Sequence, residues 1–198
     1  MNILIPLAGK GSRFRKANFK NPKPLIIINN KTMIERVIRS IKIQGNYFFV
    51  IQKMDNEDNR LSDIIKNTCN ELNYPCKITE IDYYTDGATE TCLFMENEIN
   101  KNVKLIILNC DQIMNWEPNC FLNFINKNDY DGIVITKKIN DKNYSYILLE
   151  NNIGIKLAEK ELISNDGLLG IHYWKNAGDF FESAHNQITN SIKSKNEY

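Results

Sequence analysis

The sequence predicts one α/β domain whose mostly parallel sheet is covered by helices on both faces. Short apolar runs that indicate buried strands alternate with longer stretches whose apolar residues have helical spacing. This alternation is typical of parallel sheets with crossover helices. The length of 198 residues suits one well-buried core and is short for two domains. No internal repeat, linker or low-complexity segment divides residues 1–198, so we expect a single domain.

The predicted strands are short apolar runs bounded by turn residues or polar stretches. In chain order they span residues 2–6, 47–52, 76–82, 104–109 and 132–136. The predicted helices carry apolar residues three and four positions apart. They cover residues 32–41, the segment from Leu61 to Leu72, and the neighbourhoods of 89–99 and 119–127. Residues 7–23 have no such period and predict a glycine-containing loop after the first strand.

The pattern changes after residue 140. The stretch "YSYILLENNIGIKLAEK" predicts a β-hairpin insertion near 144–158 that turns at Asn151–Asn152. The stretch "LLGIHYW" predicts one more strand, and Phe180, Phe181, Ala184, Ile188 and Ile192 mark a closing amphipathic helix. The expected fold is therefore doubly wound and Rossmann-like, with a mixed sheet.

Composition and charge exclude several classes of partner. The formal net charge is +1, whereas general binders of nucleic acids or membrane surfaces need a broad basic surface. No apolar run approaches the roughly 20 residues that span a bilayer. Only a handful of apolar residues precede "GKGSR", which is too few for a secretory leader. The five cysteines are widely spaced, which favours reduced thiols. We therefore expect a cytoplasmic protein that binds neither nucleic acid nor membrane.

A basic loop follows the first predicted strand. The stretch from Leu7 to Leu25 contains six cations and no acidic residue, and the first acidic residue of the chain is Glu35. The six cations are Lys10, Arg13, Arg15, Lys16, Lys20 and Lys23. The loop follows the carboxyl end of a strand, where open α/β sheets bind ligands. Gly9 and Gly11 allow close backbone approach and an anion-binding nest, while Arg13 and Lys23 can contact phosphate. The pattern favours a polyphosphate ligand.

Two other interpretations of this loop stay open. It can be a solvated basic loop that contains glycines. It can also be a dinucleotide-binding turn, although "GKGSRF" lacks the third glycine and no acidic residue follows about 20 positions later to bind the ribose.

The stretch "LAGKGSRF" followed by "NPKPL" resembles the signature loop of the sugar-phosphate nucleotidyltransferases, which include glucose-1-phosphate thymidylyltransferase. The family's loop reads roughly A-G-G-x-G-[ST]-R-[LF], with P-K-P-[LM] close behind. Lys10 replaces one glycine, and the matching residues are Gly9, Gly11, Ser12, Arg13, Pro22, Lys23 and Pro24.

Other segments resemble the family in the expected order. "TDGATETCL" (85–93) is similar to the turn that surrounds base and ribose, and "LIILNCDQ" (105–112) to the strand that ends in a metal-binding aspartate. "AEKELIS" (158–164) and "LLGIHYW" are similar to the part that holds the acceptor sugar phosphate. The resemblance covers essentially the whole chain and is greatest to short enzymes of surface-polysaccharide clusters.

The resemblance implies a reaction and a set of site residues. A nucleoside monophosphate would pass from a nucleoside triphosphate to a sugar 1-phosphate or similar small phosphorylated acceptor, with Mg²⁺ as cofactor and release of pyrophosphate. Arg13 and Lys23 would be catalytic, and Asp111 would bind the metal. The implied nucleotide-binding residues are Leu7, Ala8, Gly9, Gly11, Ser12, Gln52, Gly87, Ala88 and Thr89. The implied acceptor-binding residues are Glu159, Lys160 and Gly170.

Each assignment has a purely structural alternative. Asp111 can cap a turn, Glu159 and Lys160 can form an exposed ion pair, and Gly87 with Thr89 can form a plain turn and helix cap. Gln52 can simply be an exposed strand end.

The end of the sequence bears on turnover. In the resembling subgroup an N-x-[EY]-[FY] stretch is followed by a further strand and, in many relatives, a second metal-binding aspartate. This sequence ends at "KNEY", so its C-terminal end is short relative to that pattern. We expect nucleotide binding, with slow turnover unless another carboxylate such as Asp86, or a partner subunit in a homo-oligomer, completes the site. The alternatives are a catalytically weak regulatory relative and a cytidylyltransferase for a non-sugar phosphate.

Overall fold

The computed structural model describes residues 1–9, 11, 14, 16–19, 21–194 and 198, and the side chains of residues 58 and 59 lie outside that description. An eight-stranded sheet forms the centre, and a two-stranded ribbon lies beside it. The strands are β1 (Asn2–Pro6), β2 (Ile27–Ile28), β3 (Lys31–Thr32), β4 (Asn46–Gln52), β5 (Cys76–Ile81), β6 (Leu105–Leu108), β7 (Gly132–Lys138), β8 (Tyr146–Glu150), β9 (Ile153–Ala158) and β10 (Asp166–Trp174). The helices are α1 (Met33–Ile41), α2 (Lys53–Asn59), α3 (Leu61–Glu71), α4 (Ala88–Leu93), α5 (Pro118–Lys127) and α6 (Ala177–Thr189).

The sheet confirms the predicted fold class. Its order is β5-β4-β1-β6-β10-β8-β9, with β7 also paired to β10. Strands β5, β4, β1 and β6 are mutually parallel, and the antiparallel strand β10 joins them to β7 and β8. Within the described sheet, only β10 and β9 therefore run opposite to β1. The hairpin β8–β9 lies where the sequence predicts the insertion.

Alternate residues of the central strands enter two different cores. Ile3 and Ile5 pack with α1 and α3, whereas Leu4 between them packs with α6. Successive side chains of a strand point to opposite faces, so a continuous apolar run such as "ILI" serves a sheet that is covered on both sides.

Local sequence signals fix the start of α1 and the turn of the hairpin. Thr32 Oγ1 accepts from the Glu35 amide at 3.3 Å, and the Glu35 carboxylate accepts from the Thr32 amide at 2.8 Å. This capping box satisfies two donors that a helix start leaves unpaired. Asn151 and Asn152 both have φ in the left-handed region, which a two-residue type I′ hairpin turn requires.

Three local predictions were wrong. Helix α2, "KMDNEDN", was missed because its single apolar residue, Met54, is exposed, and no apolar stripe marks the helix. The helix predicted near 89–99 ends at Leu93 and continues as tighter turns, with the Met95 amide donating to the Cys92 carbonyl at 3.0 Å. Ile192 lies beyond α6 and is 61% exposed, so it takes no part in the helix's apolar face.

The topology gathers polar loops at one edge of the sheet. The carboxyl ends of β1, β4, β5 and β6 all lie at this edge because these strands are parallel. Strand β10 passes the same edge in the opposite direction, with Ile171 beside Leu108. No helix in the described part of the chain is both long and apolar enough to cross a membrane.

Candidate functional site

The loop after β1 is anchored in the core before it reaches the surface. Leu7 and Ala8 are buried, and the Leu7 amide donates to the Val50 carbonyl of β4 at 2.8 Å. Gly9 is exposed, and an added Cβ there would meet open space. The loop therefore leaves a rigid strand end and presents its backbone to solvent beside β4.

Lys23 and Asp111 meet at this edge. Lys23 Nζ lies 2.5 Å from Asp111 Oδ2, and their side chains are 24% and 41% exposed. Lys23 opens a short 3-10 turn in which Pro22 precedes it and Leu25, which is buried, anchors it to the core. Its ammonium is also 6.0 Å from the ring centre of Phe14. The sequence predicted both charged residues separately, and the structure brings them into contact.

The ion pair can exchange its partners at little cost. Partly exposed ion pairs typically contribute about 0–1 kcal/mol to stability. A polyanion can therefore take over Lys23, and a cation Asp111, without a large loss of folding free energy. Both groups can thus act on a ligand.

The neighbouring Cys110 is held in its neutral form. Burial raises the pKa of the Cys110 thiol; the charge of Lys23 opposes this shift and that of Asp111 adds to it. A protonated thiol is a poor nucleophile. Cys110 therefore does not have the properties of a reactive cysteine.

Gln52 is a buried bridge between two loops. It is 4% exposed, and its Nε2 donates to the Ala8 carbonyl at 2.8 Å and to the Tyr83 carbonyl at 2.9 Å. The alternative of an exposed strand end is therefore wrong. Gln52 joins the loop after β1 to the loop after β5, a connection that the sequence carries no signal for.

We expect Gln52→Met to lower the free energy of unfolding by about 1–3 kcal/mol, because two carbonyls lose their buried donor. For a protein of this size, that corresponds to roughly 2–4 °C in Tm per kcal/mol. Thermal unfolding measures the shift. The exposed Gln44 offers a matched control, since Gln44→Met changes the same atoms without burial. Equal Tm values for the two variants would contradict the bridge.

The turn before α4 is closed by hydroxyl groups. Thr91 Oγ1 donates to the Gly87 carbonyl at 2.9 Å, and Thr85 Oγ1 lies 2.6 Å from Thr91 Oγ1. Ala88 is exposed and Thr89 is half-buried, with no side-chain cap at this helix start. The helix-cap alternative for Thr89 is therefore wrong, whereas a role in nucleotide binding stays a prediction.

Residues near the C-terminus contact this turn. The Tyr198 amide donates to the Asp86 carbonyl at 2.6 Å, and a Cβ on Gly87 would lie 2.2 Å from the Tyr198 carbonyl oxygen. Gly87 also has a φ of +135°, which L-residues rarely adopt, so only glycine fits this position. The Asp86 carboxylate binds Lys193 Nζ at 2.7 Å.

The strand β10 approaches the Asp111 loop at Gly170. Gly170 has a φ of +65°, and an added Cβ would lie 2.1 Å from Asn109 Nδ2. The Asn109 amide donates to the Gly170 carbonyl at 3.1 Å. A register shift between Leu168 and His172 opens β10 here. The predicted acceptor strand therefore contacts the segment that carries Asp111.

Glu159 and Lys160 follow β9 and return to the same edge. Lys160 Nζ binds Glu159 Oε1 at 2.7 Å, and Ser145 Oγ donates to the Glu159 carboxylate. The Leu168 amide donates to the Ser145 carbonyl at 2.8 Å, which links this pair to β10. Glu159 and Lys160 therefore do form the ion pair of the structural alternative. Their role in acceptor binding stays a prediction.

Two predicted site residues lie outside the described part of the chain, and a third is described although its neighbours in sequence are not. Ser12 and Arg13 are outside that part of the chain. Gly11 is described and has a φ of +57°; an added Cβ there would be 3.8 Å from Lys23 Cβ, so the loop passes next to Lys23. Asn109 and Ser145, which position Gly170 and Glu159, were missed because single polar residues after strands carry no distinctive pattern.

No preformed metal cage is present among the described residues. No group of three or more histidine, cysteine, aspartate or glutamate side chains is arranged there to hold a metal ion. Mg²⁺ commonly uses one or two carboxylates and completes its shell with substrate phosphates and water. The half-exposed carboxylate of Asp111 beside a cationic loop fits that mode of binding.

The chain is similar in sequence to longer curated proteins. It is 27% identical over 186 residues to the bifunctional protein GlmU of Methanocaldococcus jannaschii, an alignment that covers 92% of this chain and 41% of that protein. The chain thus spans about two fifths of the length of the curated relatives it matches. No known family profile matches the chain.

Solved structures share the fold over the whole chain. A nucleoside-diphosphate-sugar pyrophosphorylase from Vibrio cholerae RC9 superposes with a TM-score of 0.81 at 19% identity and covers 99% of this chain and 83% of that one. The inositol-1-phosphate CTP transferase from T. maritima gives 0.75 at 13% identity, with 100% and 76% covered. These structures confirm the predicted fold, and their names agree with the resemblance to the sugar-phosphate nucleotidyltransferases that the motifs indicate.

Proposed function

We propose that this chain, which has the fold of the sugar-phosphate nucleotidyltransferases, transfers a nucleotidyl group from a nucleoside triphosphate to a sugar 1-phosphate or similar small phosphorylated acceptor. The observation that carries the proposal is the contact of Lys23 with Asp111 at the carboxyl edge of the sheet. An ammonium group, which can bind phosphate, thus lies beside a carboxylate, which can bind a divalent cation. Asp111 follows Asn109, which packs against Gly170 of β10.

The proposed step needs positioning and charge neutralisation more than acid–base chemistry. An oxygen of the acceptor phosphate attacks the α-phosphorus and forms a new P–O bond. The bond to the bridging α–β oxygen breaks, and pyrophosphate leaves with the electron pair. The acceptor phosphate is already an anion, so no general base is required. Two polyanions must be held in line, as in phosphoryl transfer generally.

Lys23 would contact the α-phosphate and the acceptor phosphate after leaving Asp111. Arg13, outside the described residues, would contact the triphosphate and stabilise the charge that builds on pyrophosphate. Gln52 would hold the loops of Ala8 and Tyr83 at a fixed separation around the nucleotide, because it donates to both carbonyls. These roles use preorganised donors, which are effective where charge develops.

Asp111 would hold Mg²⁺ together with phosphate oxygens and water. When bound, the ion supplies charge neutralisation for the triphosphate and the leaving group. Binding of the ion by the Asp111 carboxylate alone supports this mode, since it leaves coordination positions for the substrate.

The acceptor would lie between β10 and the end of β9. Gly170 lets the strand backbone approach, while Glu159 and Lys160 offer a carboxylate and an ammonium for the acceptor's hydroxyl and phosphate groups. A sugar 1-phosphate fits the motif resemblance. A polyol phosphate is the second candidate, because the inositol-1-phosphate CTP transferase has the same fold over this entire chain.

The biological role, the compartment and the oligomeric state are also part of the proposal. The resemblance to short enzymes of surface-polysaccharide clusters supports a role in making activated sugars, in the cytoplasm where nucleoside triphosphates are available. All five cysteines are free thiols in the structure, which fits a reducing compartment. The proposal includes a homo-oligomer, in which a partner subunit would contribute to the acceptor side.

Binding and turnover can be tested separately. We expect one of ATP, CTP, GTP, UTP and dTTP, each with Mg²⁺, to raise the Tm and give a calorimetric binding signal. A ligand at 100 times its Kd stabilises a protein by about 2.7 kcal/mol. Pyrophosphate release is then measured with that nucleotide and a panel of sugar 1-phosphates, inositol 1-phosphate and choline phosphate.

The outcomes separate the alternatives. Product with one acceptor identifies the substrate class. Binding without product from any acceptor would favour the catalytically weak, regulatory relative. Absence of binding with all five nucleotides would contradict the proposed function as a whole.

A further inference from the structure

A second concave site lies at the opposite edge of the sheet from Asp111. A cavity of about 210 Å³ is formed where β6 begins, where β10 ends and where α5 ends. It is lined by three lysines and one aspartate, with a tyrosine as its floor: Lys104, Lys127, Lys175, Asp129 and Tyr173. From Lys104 to Asp111 the chain runs seven residues, which is on the order of 20 Å along an extended strand.

Tyr173 supplies an unpartnered hydroxyl to this cavity. The residue is only 3% exposed, and its ring packs edge-on against Phe121 with centroids 6.2 Å apart. Its hydroxyl has no hydrogen-bond partner in the part of the chain that is described. Burial raises the pKa of Tyr173, the charge of Lys175 opposes this, and that of Asp129 adds to it. Tyr173, Lys175 and Asp129 line the same cavity, and the raised pKa keeps the phenol in its neutral form, which can donate a hydrogen bond.

The lysines come from separate elements and keep donors to spare. Lys104 Nζ donates to Asn126 Oδ1 at 2.7 Å, and Lys175 Nζ binds Asp129 Oδ1 at 2.5 Å. Each ammonium has three donors, so these contacts leave capacity for a ligand. The position of Lys127 has a structural explanation, because a cation in the last turn of α5 complements the helix dipole. Lys104 and Lys175 do not lie in a helix, so this explanation does not apply to them.

We propose that this cavity binds a small organic phosphate, with the phosphate between Lys104 and Lys175 and an oxygen of the organic part accepting from the Tyr173 hydroxyl. Lysine ammonium groups are common phosphate binders. The cavity is smaller than the roughly 300 Å³ at which sites for drug-sized ligands begin, so a nucleotide does not fit. The site is separate from the proposed nucleotidyl-transfer site and does not depend on it.

Glycerol 3-phosphate is the probe, and backbone amide shifts in ¹H–¹⁵N NMR spectra of the full chain report where it binds. We expect shifts at residues 126–130 and 173–175, and none with glycerol. Tyr173→Phe keeps the ring and removes only the unpartnered hydroxyl, so its Tm stays close to that of the unaltered chain. Its affinity for the probe falls about tenfold, the effect of about 1.4 kcal/mol from a lost hydrogen bond.

Three results would overturn the proposal. These are shifts confined to residues 7–25 and 105–111, unchanged affinity in Tyr173→Phe, and inorganic phosphate binding as tightly as glycerol 3-phosphate, which would indicate a site for a bare anion. If Tyr173→Phe fails to fold, Lys175→Gln at the half-exposed Lys175 replaces it, with the same tenfold loss expected. Unchanged affinity in Lys175→Gln would then overturn the proposal.

Discussion

Replacing Lys23 by methionine is expected to lower kcat/KM for nucleotidyl transfer by about 100-fold or more, as when a preorganised donor to developing charge is lost. Methionine keeps an unbranched chain of similar length, so the apolar stem can pack as before. The Lys23–Asp111 pair is partly exposed, and its loss should change Tm little. Pyrophosphate release, measured over a range of nucleotide concentrations, separates the effect on kcat from that on KM.

The matched control is Lys66→Met. Lys66 is exposed on α3, away from the carboxyl edge that carries Asp111, and its replacement should leave kcat/KM unchanged. If Lys23→Met and Lys66→Met retain the same activity while both fold, Lys23 does not contact the reacting phosphates. The glycine loop would then act as a solvated basic loop, the alternative that the sequence leaves open.

The regular part of the fold could be predicted because its signals are local. Five-residue apolar runs, the Thr32–Glu35 capping box and the Asn151–Asn152 turn each determine a conformation within a few residues. Helix α2 could not be predicted in this way. Its residues are almost all polar, and it forms where the chain leaves the buried Gln52. Tertiary position decides such a helix, because it has no apolar stripe of its own.

The sequence predicted which residues form the candidate site, but it did not predict most of the contacts between them. Lys23 and Asp111 were chosen from motifs 88 positions apart, and only the parallel arrangement of β1 and β6 brings their loops together. Gln52 donates to two backbone carbonyls. Every residue has a backbone carbonyl, so the sequence does not indicate which two would accept. The fit of Gly170 against Asn109 likewise depends on a register shift that arises when β10 pairs with β7.

Asp111→Asn is expected to lower activity by about 100-fold and to remove most of the dependence of nucleotide binding on Mg²⁺. The amide is almost the same size as the carboxylate but carries no charge, and Mg²⁺ sites typically use only one or two carboxylates. Calorimetry with nucleotide in Mg²⁺ and in EDTA measures the dependence without relying on turnover. The unaltered chain should bind far more tightly with Mg²⁺, and the variant should bind almost equally in both.

Asp63→Asn is the matched control for Asp111→Asn, because Asp63 also forms a partly exposed ion pair, with Arg60 Nε at 2.8 Å, but on α3. It should keep the Mg²⁺ dependence of the unaltered chain. A double variant tests whether Lys23 and Asp111 serve one reaction centre. Groups that act as a unit give non-additive losses, so Lys23→Met combined with Asp111→Asn should lose much less than the product of the single effects. Fully multiplicative losses would show that Lys23 and Asp111 act independently and not as one reaction centre. An unchanged Mg²⁺ dependence in Asp111→Asn would show that Asp111 does not hold the metal ion.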